Sequence, residues 1–491
     1  MNVTLRFFAA MFAVIFLFCG LAASGGSETA GELPGRPWFL DEHNRHFIMN
    51  GVVMNTEDSR GDLHFPREAY ERMRPMGLNV QVVRLLCPRL GGWPGTEWDP
   101  EYLEKVDRLV RLGREAGMKT IFKMTLYDLT DVAYGKLTEE HWAQLFLDRD
   151  DTQEAYLGAW MRVFERYADN CAVYGYDLLN EPLAAGGGSR RKVWEVAPEL
   201  GGPERFEREY FMPLYRRVID RLREISPDKW AFFQPMHVTI PEHIESGFPC
   251  HRVTISPRRD QTAYAPHYYG TEPEKAVNRY LEDAAVAGTP LFIGEYGPAT
   301  KERTDTNLQA QIDYKLNLMR TVELLDRNVI GHVKAWWCGS RVYNASAHQR
   351  HRRTWAIFKG DSQALGPERE YILDVMARPR PLFVAGKVGA FHFDFATRVF
   401  EMEFSPGAAR GPSEIFIPAD RHYPDGFRIR YRDLELAWNP KKPRGFSVVS
   451  NPERYNRWLF RWNRKQQRLI VKRWPDHEPV ATLRVVPGWR D

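Results

Sequence analysis

The 491 residues carry 68 Lys and Arg against 64 Asp and Glu, a net charge of +4 that is too small at this length to signal nucleic acid. Hydrophobic residues make up 43% and charged residues 27%, which excludes a disordered chain and provides for more than one domain with a buried core. Aromatic residues reach 13%, with 15 Trp and 21 Tyr, serving either a large core or a cleft that stacks flat apolar faces such as sugar rings.

In chain order, the first element is apolar. Arg6 precedes an uninterrupted run from Phe7 to Phe18, too short for a comfortable membrane span, and small residues follow at Ala22, Ala23, Ser24 and Gly25. This predicts a cleaved leader over 1–25 and a secreted, periplasmic or cell-surface protein, with a retained anchor as the alternative. Export permits disulfides. Cys87, Cys171, Cys250 and Cys338 follow it without CxxC spacing, so no zinc knuckle is indicated and their pairing is open.

Runs with strand character then alternate with helical ones. The strands are HFIMNGVVM (46–54), LNVQVVRLL (78–86), GMKTIFKMT (117–125), VYGYDLLNE (173–181), KWAFFQPM (229–236), TAYAPHYY (262–269), PLFIGEYG (290–297) and HVKAWWCG (332–339). Most are apolar, β-branched or aromatic throughout, as strands covered on both faces are. Helical patterns fill the intervals. FPREAYERMRPMG ends at Gly77, and DPEYLEKVDRLVRLGREAG runs from an Asp-Pro cap to Gly117. ERFEREYFMPLYRRVIDRLREISP stops at Pro227, and further helices fall at 273–288, 307–327 and 367–377. Eight strand–helix units predict a (β/α)8 TIM barrel over 34–378, with an open doubly wound sheet as the alternative. No Gly-rich phosphate loop follows the first strand, which counts against the latter. GGGSRR (186–191) reads as a flexible loop.

After RPRP (378–381) the long helical periods vanish. Short alternating segments separated by turn residues predict a small all-β sandwich over 382–490. Between Glu453 and Trp474 there are eight Lys/Arg and one acid. That hairpin is either a solvated strand face or a peripheral contact with an anionic membrane surface, assisted by its Trp and Phe.

The barrel register gives the acids their meaning. Glu181 falls at the C-terminal end of strand four and Glu295 at the matching place on strand seven, on the face where barrel enzymes keep their active sites. Two carboxyl groups facing one sugar ring suit glycoside hydrolysis with retention. Asn180 is placed to meet a sugar 2-hydroxyl. His267 and Tyr269 end strand six, and a tyrosine hydroxyl there orients and ionises Glu295. Arg84 on strand two does likewise from the barrel floor, and Trp336 or Trp337 on strand eight supplies a sugar platform. Structural counterparts exist for each: Arg84 as a floor ion pair, His267 as a core histidine, one tryptophan packing outward.

With these residues placed, "NEP" after strand four, "H-x-Y" after strand six and "GEYG" after strand seven resemble glycoside hydrolase family 5. The resemblance implies a retaining mechanism with Glu181 as acid/base and Glu295 as nucleophile, and no cofactor or metal. "YDLLNEP", "YAPHYY" and the tail from RPRPLFVAGKVGAFHFDF onward resemble endoglycoceramidases, which pair this barrel with a C-terminal β-sandwich and cleave between sugar and ceramide. One departure stands out. The family carries D-x-H after strand three, whereas this chain reads KMTLYD, with Thr125 at the histidine and Tyr127 or Asp128 left to contact the sugar.

The resulting expectation is a retaining β-glycosidase that cleaves the sugar–ceramide bond of glycosphingolipids, its partner a glycolipid or oligosaccharide and not nucleic acid. The alternatives are a β-glucosidase for steryl or aryl glucosides, an endo-glycanase on polysaccharide, or a non-catalytic carbohydrate- or membrane-binding barrel. Asn344-Ala-Ser is a formal glycosylation acceptor.

Overall fold

The computed structural model describes residues 38–54, 63, 66–126, 138–183, 192–237, 252–258, 260–298, 304–338, 356–454, 459–474 and 479–488. The expected leader, Tyr127 and Asp128, the 186–191 loop, Cys250 and Asn344 lie outside the described residues.

Eight parallel strands form the predicted barrel. They are β1 (Asn50–Met54), β2 (Val80–Leu86), β3 (Lys119–Thr125), β4 (Val173–Asp177), β5 (Trp230–Phe233), β6, β7 (Phe292–Tyr296) and β8 (Gly331–Lys334). Strand β6 comes in two pieces, Thr262–Tyr264 and His267–Tyr268. The first piece pairs with β5, the second with β7, and β8 returns to β1. Pro266 interrupts the strand because it has no N–H to give. Closure holds across the break: Ala265 N–H donates to Phe233 O at 2.8 Å, Tyr264 N–H to Pro290 O at 3.0 Å, and Gly294 N–H to Pro266 O at 3.0 Å. Every residue of β2 is buried, so VQVVRLL lacks the polar alternation of a half-exposed strand.

Around it run α1 (Arg67–Met73), α2 (Pro100–Glu115), α3 (Glu139–Leu147), α4 (Thr152–Tyr167), α5 (Met212–Ile225), α6 (Pro273–Ala287), α7 (Leu308–Arg327) and α8 (Glu370–Met376). The caps are local chemistry. Asp99 accepts the N–H of Tyr102 at 3.2 Å and Asn307 that of Ala310 at 3.1 Å. The helix expected over 204–227 is not continuous. A turn at Pro203–Phe206 widens through Glu207–Phe211 before α5, just ahead of Pro213, whose missing N–H breaks the regular ladder.

The C-terminal region holds two antiparallel sheets. One contains β9 (Arg380–Val384), β12 (Ser413–Phe416), β17 (Arg468–Val471) and β16 (Phe460–Asn463). The other runs β10 (Gly386–Phe393), β11 (Phe400–Pro406), β18 (Ala481–Pro487), β13 (Phe427–Tyr431), β14 (Leu434–Asn439) and β15 (Lys442–Ser450). Side chains from both sheets share one core that includes Phe391, Phe404, Phe427, Phe460 and Trp474. The run 46–54 therefore needs correcting as a single strand. His46–Phe47 pairs antiparallel with β9, in register His46↔Val384, and only Asn50–Met54 enters the barrel.

This β region packs against the barrel face where strands begin. Phe416 fills the space beside Gly77, ahead of β2, where an added Cβ would come within 2.3 Å of its ring. Behind β8, Arg378 donates twice to the buried Asp326 of α7 at 2.6 Å. The basic hairpin is β16–β17. Its Phe460, Trp462 and Trp474 are buried in the shared core, which removes these three from the aromatics expected to assist a membrane contact, while Trp458 lies outside the described residues. Arg464 pairs with Asp420 and Arg468 with Glu414. No described helix is long and apolar enough to cross a membrane, and Cys87 and Cys171 are free thiols.

Candidate active site

The strand ends opposite the β region gather the acids. Past β4 the chain turns sharply, and Glu181 takes φ +43°, a left-handed conformation uncommon for a residue with a side chain. Three hydrogen bonds hold the turn. Leu178 N–H donates to Phe232 O at 2.9 Å, Asn180 N–H to Met124 O at 2.8 Å, and Glu181 N–H to Gln234 Oε1 at 2.9 Å. Gln234 is itself fixed, because its Nε2 donates to both Asp177 carboxylate oxygens at 2.9 and 2.8 Å. Burial pushes the Asp177 carboxyl above its usual range.

Glu295 is set on β7. Tyr269 O–H donates to its Oε2, and Lys123 Nζ lies 2.8 Å from its Oε1. The Lys123 ammonium also contacts His267 Nε2 at 3.0 Å, Gly294 O at 3.3 Å and Asp177 Oδ2 at 3.5 Å. An ammonium only donates, so His267 Nε2 must accept, and the imidazole carries its proton on Nδ1. Nδ1 then donates to Glu181 Oε1 at 2.9 Å. Tyr280 O–H holds the His267 carbonyl at 2.8 Å.

These contacts set the charges. Burial pushes the Glu295 carboxyl up and Glu181 repels it, but the adjacent Lys123 ammonium and His267 together hold it below the usual carboxylate range. Burial likewise pushes Glu181 up, and the hydrogen bond from His267, joined by the neighbouring His237 and Lys123, brings it below the usual range. The Glu181 side chain is 27% exposed and that of Glu295 only 6%, so Glu181 faces the opening while Glu295 sits within its donors. Donor atoms of Glu181, His267 and Glu295 all lie within 4.8 Å of one another. A divalent ion on all three would have to displace the Nδ1 proton given to Glu181.

The sequence-derived residues divide as follows. Glu181, Glu295, His267 and Tyr269 converge. The His267 side chain is fully buried, so it acts on the carboxyl groups rather than presenting an open sugar contact. Asn180 is buried beside Glu181, and Arg84 is buried on β2, paired in register with Lys123. Trp336 stands 6.5 Å from Tyr269 between ring centroids, whereas Trp337 is wholly buried edge-on against Phe358. Both tryptophans are buried, Trp336 beside Tyr269 and Trp337 against Phe358. Thr125 spends its hydroxyl on Leu85 O at 2.8 Å.

Sequence reasoning missed Lys123, Asp177, Gln234 and His237. The His237 ring packs edge-on to His267 at 5.7 Å, and its buried Nε2 has no hydrogen-bond partner among the described residues. The signal for Lys123 was its two-residue spacing from Thr125, which puts both on one strand face.

A paired-acid cluster at the C-terminal mouth of a closed (β/α)8 barrel defines a glycoside hydrolase. The family profile described as Cellulase (glycosyl hydrolase family 5) matches residues 69–341, and that described as Glycoside hydrolase family 5 C-terminal domain matches 378–483. The chain belongs to glycosyl hydrolase family 5. It is 26% identical over 273 residues to Endoglycoceramidase I of Rhodococcus hoagii (strain 103S), covering 54% of this chain and 49% of that protein. It is 21% identical over 291 residues to Endoglycoceramidase of Cyanea nozakii, covering 57% and 51%. The match thus spans about half the length of these curated relatives. In fold it is similar to Endo-glycoceramidase II from Rhodococcus sp. in a ganglioside GM3 complex, with TM-score 0.67, 19% identity, and 92% and 100% of the two chains covered. It is also similar to Cryptococcus neoformans sterylglucosidase 1, with TM-score 0.61, 11% identity, and 92% and 96% covered.

Proposed function

We propose that the chain is a retaining β-glycosidase acting on a glycosphingolipid at its sugar–ceramide bond, with Glu295 as nucleophile and Glu181 as acid/base. The observation that carries the chemistry is the placement of the two carboxyl groups, with donor oxygens within 4.8 Å and unequal surroundings. Inverting sites hold their carboxyls ~6.5–9.5 Å apart to admit a water, while retaining sites hold them ~5 Å apart.

Glu295, already ionised, attacks the anomeric carbon. The C–O bond to the lipid breaks and its oxygen takes a proton from Glu181. A bound substrate covers the open side of Glu181, which strips water from it and favours the protonated form needed for this step. Glu181, now ionised, removes a proton from water that takes the place of the departed lipid. The water oxygen then attacks the same carbon and Glu295 leaves. Two inversions give net retention.

The lipid aglycone rests on the relatives' names and on the family C-terminal domain that follows the barrel. Residues 1–25 are proposed as an export leader on sequence alone. Mass spectrometry of products from a mixed glycosphingolipid extract tests the reading. Free ceramide and an intact glycan, first released as the β-anomer and absent with Glu181→Ala, are expected. An initial α-anomer rules out retention. Release of glucose from steryl or aryl glucosides without ceramide moves the assignment to a β-glucosidase.

A further inference from the structure

Lys123 is fully buried in β3, on a barrel interior with two carboxylates and an imidazole around its ammonium. A buried cation at this position is costly unless it is matched, and it is matched twice, by Glu295 and Asp177. The resemblance to family 5 gave no reason to expect it, since D-x-H is replaced by Lys123-Met124-Thr125. The group has three protons and four acceptors within 3.5 Å: Glu295 Oε1, His267 Nε2, Gly294 O and Asp177 Oδ2.

We propose that Lys123 is a positioning residue of the reaction: its ammonium orients and counter-charges Glu295 and, by donating to Nε2, fixes His267 as the Nδ1–H tautomer that hydrogen-bonds Glu181. It thus touches the nucleophile directly and the acid/base through one ring. The inference rests on the roles proposed above for the two carboxyls. Other charged and titratable groups face this cluster from each neighbouring strand. They are Arg84 from β2, Asp177 from β4, His237 beyond β5, Tyr269 from β6 and Lys334 from β8. Lys334 is the weaker counter-charge: its amine donates to Ala335 O, and burial, with Arg369 nearby, favours its neutral form against the attraction of Glu295. Asp177, braced by Gln234, is a second carboxylate within 3.5 Å of the ammonium and helps hold it in place.

Two readouts test this on the full chain. In protein labelled with 15N-histidine, His267, assigned by loss of its signals in His267→Asn, should show a protonated Nδ1 and a bare Nε2. Lys123→Met should move the proton to Nε2 or spread it over both nitrogens. In kcat/KM against pH on an aryl β-glycoside, Lys123→Met should raise the acidic limb by about 1–3 pH units, because Glu295 loses its neighbouring charge. Lys123→Arg should return the limb towards the original while leaving the rate reduced, since the planar guanidinium places its donors differently. If Lys123→Met does not fold, Lys123→Gln, which drops the charge and keeps a donor, should show the same limb shift. A folded Lys123→Met or Lys123→Gln with an unmoved limb overturns the proposal, as does an unchanged His267 tautomer in Lys123→Met. A wild-type protein that cleaves no β-glycoside sinks the functional reading instead, and the tautomer measurement still decides Lys123.

Discussion

Gly294 precedes Glu295 on β7, and its place explains why the strand reads IGEYG. A Cβ built there would lie 3.0 Å from Ala265 O and 3.3 Å from both Cδ2 and Nε2 of His267, against an ordinary contact beginning at 3.4 Å. The shortfalls, 3.4 − 3.0 = 0.4 Å and 3.4 − 3.3 = 0.1 Å, must be absorbed by neighbours that have little freedom. Ala265 O is backbone within the broken strand, and His267 is pinned between Lys123 and Glu181. Gly294→Ala should therefore cost about 1–3 kcal/mol of stability through overpacking. It should displace the imidazole or β7 by a few tenths of an ångström. Misplacement of about 1 Å costs ~100-fold, so a smaller shift predicts roughly 10-fold to several-tens-fold loss in kcat/KM. The assay is aryl β-glycoside hydrolysis together with thermal unfolding. As a contrast, Gly158 in α4 meets only the flexible Arg162 guanidinium at 3.4 Å, and Gly158→Ala should gain about 0.5–1 kcal/mol. If Gly294→Ala keeps full activity and melting temperature, the tight seat inferred for His267 is wrong.

Tyr269→Phe removes the hydroxyl donated to Glu295. A hydrogen bond to a charged group is worth about 1.5–3 kcal/mol, so kcat/KM should fall roughly 10- to 150-fold; a loss under about 3-fold would show that the hydroxyl contributes little to the transition state. Glu181→Ala should slow substrates with poor leaving groups by ~10²–10⁴ and spare activated aryl glycosides, and added azide should yield a β-glycosyl azide detectable by mass spectrometry. Burial lowers the pKa of His46 to about 3, His237 and His422 to about 4, and His332 well below its ordinary 6.5. In the unfolded chain each binds a proton below pH 6.5 that the folded chain refuses, so their stabilisation is complete above that pH and lost as pH falls towards 4. Between pH 7 and 5.5 the four together should remove roughly 5 kcal/mol, seen as a falling denaturation midpoint. Asp326→Asn strands the buried Arg378 and should cost about 3–5 kcal/mol in unfolding measurements.

Much of this was legible because it is local. Strand runs, the Asp99 cap, and the acids at the ends of β4 and β7 are each written within a few residues. What the sequence left out depends on partners far along the chain. Lys123 lies inside an apolar run and gains meaning only when β6 and β7 bring His267 and Glu295 to it. The same holds for Gln234, which ties Asp177 to the Glu181 turn from the next strand. His46–Phe47 reads as the start of β1, since nothing local reveals an edge more than 300 residues later waiting for it. Placing Trp336 and Trp337 required the path of the chain beyond β8.

That early two-residue strand carries a consequence for assembly. As the polypeptide emerges from the ribosome, residues 46 and 47 can meet only the neighbouring backbone of Phe39 and Leu40, and their sheet partner is missing until synthesis has passed position 384. Nearly the whole barrel must therefore be translated while its underside is unsealed, with Phe47 lacking the Phe383 ring that stacks on it. Such long-range closure is slow and leaves sticky intermediates. A nascent chain stalled before residue 380 should accordingly be a strong client for holdase chaperones, and a full-length one far less so.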